Sequence, residues 1–205
     1  METKWIFFDV GSTLVDETEA YDHRVREMIL GTDVSFSDFD NKRIELAMQG
    51  FDGNSEAIKY FGLNKTPWHS EDEIPFSDAS ETLEVLKARG YHLGIIANQV
   101  NGTAQRLENF GIAKFFDVIV ASAEYGIAKP DRRIFEKALE LAKCQASNSV
   151  MVGDRLDNDI VPAKALGMKT VWIRKGPARY QPVSLGNGFA DRTIDELSDL
   201  KVIFK

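Results

Sequence analysis

The chain of 205 residues carries one cysteine, Cys144, so no internal disulfide can form. It ends the apolar stretch ALELAKC and reads as a small core residue on a helix face rather than a catalytic thiol. Long hydrophobic runs are missing too. WIFF, LGII and VIVA are far short of the roughly 20 apolar residues of a membrane helix, and none has secretory flanks. The expectation is a soluble, cytoplasmic protein with no membrane partner. Basic charge is in deficit: 25 basic against 32 acidic side chains leave a net charge of -7, with no basic run or stripe. That balance repels polyanions and argues against nucleic acid as a partner. No repeat or low-complexity segment is present, which excludes a solenoid or a disordered scaffold. His23, His69 and His92 are scattered without zinc-like spacing and read as surface or structural residues.

What is present is a hydrophobic content of 43%, enough for one domain or one domain with a modest insertion. Lys4 to Val10 is an apolar, aromatic run that stops at Asp and Gly-Ser-Thr, as a buried strand stops at a turn. Similar runs recur at Tyr91 to Ala97, Phe116 to Val120, Ser149 to Gly153 and Lys169 to Ile173. Amphipathic stretches separate them: Ala79 to Arg89, Gly102 to Phe110, Asp131 to Lys143 and Asn158 to Leu166. This alternation predicts an α/β fold, a doubly wound parallel sheet covered on both faces. From Val15 to Pro75 the rhythm breaks into helical patterns (EAYDHRVREMIL, DFDNKRIELAMQ, SEAIKYFG) with no convincing strand. The expected organisation is therefore a core of residues 1–14 and 76–205 with a small helical cap at 15–75. An insertion leaving strand one at its carboxyl end sits over the ligand site as a lid. Trp68 and the aromatics Tyr60 and Phe61 either pack the small core of that cap, the favoured reading, or face the substrate. The segment from Arg174 to Gly188 reads as a loop, and Thr193 to Leu200 as a closing helix.

If strand one lies beside strands four and five, acids meet at their ends: Asp9, then Asp154, with Asp157 and Asp159 in the next turn. Converging carboxylates in a water-poor cleft repel one another unless a hard cation offsets them, and Mg2+ with oxygen ligands suits that role. Lys129, in GIAKPD ahead of a helix, adds a fixed positive charge. Taken singly, each residue has an ordinary alternative as a turn former, a helix-start acid or a solvated lysine. Together, carboxylates, metal and lysine at strand ends favour phosphoryl chemistry, which is mostly positioning and charge stabilisation.

These segments resemble, in order, the motifs of the haloacid dehalogenase superfamily. FFDVGSTL (7–14) is similar to the first, GIIAN (94–98) to the second, Lys129-Pro130-Asp131 with Ile134-Phe135 to the third, and VGDRLDNDI (152–160) with PAKALGMKTV (162–171) to the fourth. The resemblance implies a magnesium-dependent phosphatase with a Rossmann-like core and a helical cap, acting on a small phosphorylated metabolite. It implies that Asp9 is the nucleophile and touches the metal, with Gly11 offering its carbonyl. Asp154 would be a direct metal ligand, and Asp159 the acid that orients metal waters or the lysine. Lys129 would neutralise nucleophile and phosphate. Thr13 and Asn98 would serve the phosphoryl pocket, Thr13 by buttressing the nucleophile loop.

Two positions depart from the family pattern. Gly11 stands where such phosphatases place a second Asp, which protonates the leaving oxygen and then activates water; Ala97 stands where a phosphate-binding Ser or Thr is usual. Three readings follow. An acid near the cap hinge (Asp16, Glu17, Glu19 or His23) takes over, or the substrate is an activated ester such as an acyl phosphate, or the protein binds magnesium and a phosphorylated ligand with weak turnover. Dehalogenase chemistry is disfavoured because the metal-binding acids are kept. A Schiff base at Lys42 is disfavoured because Lys42 reads as an exposed helix residue. The sequence names neither the substrate nor the oligomeric state.

Overall fold

The computed structural model describes residues 3–182 and 190–205. Residues 183–188 of the loop expected after Ile173 lie outside them. Eight strands occur among the described residues: β1 (Trp5–Phe8), β2 (Val15–Asp16), β3 (Ile74–Pro75), β4 (His92–Ala97), β5 (Val118–Ala121), β6 (Ser149–Gly153), β7 (Lys169–Ile173) and β8 (Arg192–Ile194). The main sheet has the order β5-β4-β1-β6-β7-β8, and every neighbouring pair in it is parallel. The helices are α1 (Thr18–Ile29), α2 (Phe36–Met48), α3 (Gly53–Tyr60), α4 (Ala79–Ala88), α5 (Thr103–Asn109), α6 (Ser122–Tyr125), α7 (Arg132–Ala142), α8 (Val161–Ala165) and α9 (Leu200–Ile203).

β1 is apolar throughout because it is central and both of its faces are covered. Ile6 and Phe8 join one core with Leu83, Leu86, Leu107 and Leu200 from α4, α5 and α9. Trp5 and Phe7 point the other way, into a core with Ile134, Phe135 and Ala138 of α7 and Ala163 of α8. This is the period of two expected of a strand. Phe7 and Phe8 are fully buried, and each stabilises the fold by about 1.5–3 kcal/mol relative to exposure. Gly94 of β4 is dictated by this packing, since a Cβ there would lie 2.6 Å from the Phe7 ring.

The segment between β2 and β3 folds on a small core of its own, Val25 and Met28 from α1, Phe39 from α2, and Ala57 and Ile58 from α3. Ser35 and Asp38 form a reciprocal capping box that starts α2, and Asp52 accepts from the Ser55 N–H to start α3. β2 and β3 pair antiparallel, Val15 with Pro75 and Asp16 with Ile74, where the chain leaves and re-enters the core. These two-residue strands correct the expectation that no strand occurs between Val15 and Pro75. They are too short to carry a period.

Four further expectations are corrected. β1 lies between β4 and β6, so the fifth predicted strand, β7, is one place removed from it. Residues 192–194 form the edge strand β8 before a 3-10 turn at Leu197–Asp199 and α9, in place of one helix from Thr193 to Leu200. The helix expected from Asn158 begins as a π-helical turn, Leu156–Ile160, before α8. His23 and His69 are not scattered in space. Their rings stack at 3.7 Å, with His23 paired to Asp72 at 2.7 Å and His69 to Glu27 at 3.0 Å.

Candidate active site

Because β1, β4 and β6 are parallel neighbours, their carboxyl ends open on one side of the sheet, where ligands of such folds bind. Asp9 follows β1, and its N–H donates to the Val152 carbonyl of β6 at 2.9 Å. The chain then curls back, the Leu14 and Val15 N–H groups donating to the Val10 carbonyl at 2.9 and 3.0 Å. Within this loop Ser12 has φ 52, a left-handed conformation that strains a side-chain-bearing residue and is often met at functional sites.

Lys129 lies between α6 and α7, and its Nζ donates to Asp9 Oδ1 at 2.7 Å and to Asp159 Oδ1 at 2.6 Å. The Lys129 side chain is 2% exposed. Asn98, just past β4, clamps the Lys129 backbone: its Oδ1 accepts from the Lys129 N–H at 2.7 Å and its Nδ2 donates to the Lys129 carbonyl at 2.9 Å. Asp154 follows β6, and its carbonyl accepts from Trp172 Nε1 at 2.6 Å. Asp159 is held from its other oxygen by the Arg155 N–H at 3.0 Å. Residue 153 must be glycine for this, because a Cβ there would lie 2.4 Å from Asp159 Oδ2. Carboxylate oxygens of Asp9, Asp154 and Asp159 all lie within 4.8 Å of one another.

Burial raises the Asp154 pKa well above the carboxylate range, and repulsion from Asp159 and Asp9 raises it further. Asp159 is raised by burial and by Asp9, with Lys129 opposing. Burial disfavours the Lys129 charge, but Asp159 and Asp9 outweigh it and its pKa ends above the ordinary value. Three buried carboxylates around one ammonium retain excess negative charge. All the donors are hard oxygens, a set that fits a small divalent cation such as magnesium.

A cleft of about 680 Å³ opens over this cluster, lined from the sheet side by Asp9, Gly11, Ser12, Asn98, Lys129, Asp154 and Asp159, a volume that suits a small ligand. From the other side come Tyr21, Arg24, Val25, Met28, Phe39 and Trp68. Trp68 donates to Glu73 Oε1 at 2.6 Å, Glu73 pairs with Arg106 at 3.3 Å, and Arg106 reaches Gln99 Oε1 at 2.6 Å. Of the two places considered for Trp68 from sequence, the small helical core and the face toward a substrate, the structure gives the second, on the cleft wall. Arg155 ties the two sides together by reaching Asp52 at 2.8 Å.

Glu17 also enters the cleft. It is 8% exposed, and burial first, then Asp9 and Glu73, raise its pKa to about 8. Of the four acids considered near the hinge, Asp16, Glu19 and His23 do not line the cleft. Asp16 instead accepts from the Thr18 N–H at 2.9 Å.

The structure therefore brings together Asp9, Gly11, Asn98, Lys129, Asp154 and Asp159. Thr13 is fully buried and is not among the cleft-lining residues, a position that suits the support of the loop rather than substrate contact. Asp157 turns away to Arg155 and Gln181, at 2.6 and 2.9 Å. Lys42 is outside the cleft, paired with Glu45 and lying over the Tyr60 ring. Gly176 was missed from sequence. A Cβ on it would lie 2.5 Å from Ser12 Oγ, so the loop after β7 closes directly on the loop that follows Asp9.

A parallel sheet with three acids and a lysine gathered on the carboxyl side of its strands, under a helical segment, is the arrangement expected of the haloacid dehalogenase type. The family model described as haloacid dehalogenase-like hydrolase matches residues 6–173, and the chain belongs to that family. It is 37% identical over 131 residues to a glyceraldehyde 3-phosphate phosphatase of Methanothermobacter thermautotrophicus, the match covering 63% of this chain and 58% of that protein. The chain thus spans just over half the length of that relative. The corresponding phosphatase of Pyrococcus furiosus is 32% identical, with 96% of this chain and 91% of the relative covered. Among solved structures, a HAD phosphatase from Thermococcus onnurineus superposes with a TM-score of 0.66 at 26% identity, over 98% of this chain and 97% of that one.

Proposed function

We propose that this protein is a magnesium-dependent phosphatase that hydrolyses a small phosphorylated metabolite through an aspartyl-phosphate on Asp9. The observation that carries the reading is the lysine bridge: one buried ammonium holds Asp9 at 2.7 Å and Asp159 at 2.6 Å, with Asp154 in the same cluster. Lys129 holds the Asp9 carboxylate in one orientation and supplies positive charge where a phosphoryl group arrives. Asn98 fixes the Lys129 backbone, and Thr13 supports the loop that carries Asp9. Magnesium would be held by Asp9, Asp154 and the Gly11 carbonyl, with Asp159 orienting the set, and when bound it supplies charge neutralisation for the phosphoryl oxygens.

Residues 15–75 act as the cap, excluding water and contacting the leaving group. The relatives named as glyceraldehyde 3-phosphate phosphatases support a small sugar-type phosphate as substrate, and the cleft volume is compatible with one. The reading of a weak binding protein is not favoured, because the relatives are named as phosphatases. The test is phosphate release from a panel of sugar phosphates, nucleotides and acyl phosphates, with magnesium and with EDTA. Release that depends on magnesium and is lost in Asp9→Asn supports the proposal. Equal release by Asp9→Asn and the unaltered protein refutes it.

A further inference from the structure

Ester hydrolysis through Asp9 has two proton transfers that none of the residues so far assigned performs. The departing oxygen needs a proton when the phosphorus–oxygen bond breaks, and the attacking water must lose one. Asp9 is the nucleophile, Asp159 is held by Lys129, Asp154 belongs to the metal set, and Asp52 caps α3 and pairs with Arg155. Glu17 is left.

Its geometry is unusual for its position. Glu17 is the N-cap residue of α1, where an acidic side chain ordinarily accepts from the first helical N–H groups, yet it makes no capping hydrogen bond. Asp16 receives the Thr18 N–H instead, and the Glu17 carboxylate turns into the cleft. Its hydrogen bond there is a long one, donated by Ser12 Oγ at 3.4 Å, and no ion pair to it occurs among the described residues. A buried carboxyl without a cation is costly to the fold. The carboxylate lies directly over Gly11, two residues from the nucleophile: a Cβ on Gly11 would be 2.5 Å from Oε1 and 2.6 Å from Oε2. Residue 11 is small because Glu17 occupies the space above it.

On the reading of Asp9 as nucleophile, we infer that Glu17 is a catalytic residue, the acid and then the base of the reaction. In the first step Asp9 Oδ bonds to phosphorus, the ester P–O bond breaks, and the leaving oxygen takes the Glu17 proton to depart as an alcohol. In the second step the Glu17 carboxylate takes a proton from water, whose oxygen bonds to phosphorus as the Asp9–phosphorus bond breaks. Inorganic phosphate leaves, and Glu17 is protonated again.

The test compares p-nitrophenyl phosphate, whose leaving group needs little protonation, with glycerol phosphate, whose leaving group needs much. Glu17→Gln lowers kcat/KM on the alkyl ester by about 10²-fold or more, and by at least ten times less on the aryl ester. Acid quenching during turnover of the aryl ester then finds more aspartyl-phosphate in this variant than in the unaltered protein. Moving the carboxyl across the gap, Gly11→Asp with Glu17→Ala, raises alkyl-ester turnover at least tenfold over Glu17→Ala alone, which decides the matter even if Glu17→Gln folds poorly. Equal losses on both esters, or no gain from the exchange, overturns the inference. Asp9→Asn separates the two claims. If it is inactive while Glu17→Gln matches the unaltered protein, only the role of Glu17 falls; if Asp9→Asn stays active, the nucleophile falls and this inference with it.

Discussion

Replacing Lys129 by alanine removes the single positive charge from the carboxylate cluster, and the structure sets the scale of the result. The lysine is 2% exposed and Asp159 1% exposed, at 2.6 Å, so neither charge has water to fall back on. Removing one partner of a buried ion pair costs about 3–5 kcal/mol, because the other charge stays buried and uncompensated. Lys129→Ala should therefore lose about 3 kcal/mol or more, which for a urea slope of about 1–3 kcal/mol/M lowers the unfolding midpoint by roughly 1–3 M. The double variant Lys129→Ala with Asp159→Asn removes the stranded charge as well and should recover at least half of that loss. Urea unfolding followed by circular dichroism in EDTA, so that no metal substitutes for the ammonium, measures both. A single variant within about 0.5 kcal/mol of the unaltered protein, or a double variant less stable than the single, would refute the argument. In turnover, loss of one preorganised charge over the phosphoryl site should cost about 10²-fold or more.

Other predictions follow from single contacts. Gly153→Ala would set a Cβ 2.4 Å from Asp159 Oδ2; overpacking of this kind costs about 1–3 kcal/mol, and thermal unfolding together with phosphatase rate should both show a loss. Arg155→Ala frees the 2.8 Å contact to Asp52, a half-exposed pair worth about 1 kcal/mol or less, so KM should rise a few-fold with a smaller change in kcat; an unchanged KM would show that the contact does not help to hold the cleft closed. Burial raises the Cys144 thiol to about 11, so iodoacetamide at pH 8 should label it about two orders of magnitude more slowly than a free cysteine, and Cys144→Ser should keep full activity.

The main sheet was legible because each central strand is a short, wholly apolar run closed by turn residues, and the intervening helices carry their own period. Where the signal is brief it failed. β8 has three residues with one of them buried, and β2 and β3 have two each, too few for alternation to register. Asp9 and Asp154 could be chosen from sequence because strand ends in a parallel sheet converge, and Lys129 and Asp159 because the segments that carry them resemble the family's motifs. Side-chain direction could not. An acid at a helix start reads as a cap or a solvated residue, and nothing local says that Glu17 turns inward while Asp16 takes the capping bond. The same holds for Trp68, whose place on the cleft wall depends on Glu73 and Arg106, and for His23 and His69, stacked across 46 positions by the fold of the cap.

The central claim is that Asp9 carries the phosphoryl group. Its most direct measurement is rapid acid quenching during turnover of a phosphate ester, followed by peptide mass spectrometry. The account predicts one phosphoryl group on the peptide containing Asp9, absent from Asp9→Asn and lost on treatment with hydroxylamine, as an acyl phosphate is. Steady turnover with no phosphoryl group on the protein, or with the group on another residue, would contradict it.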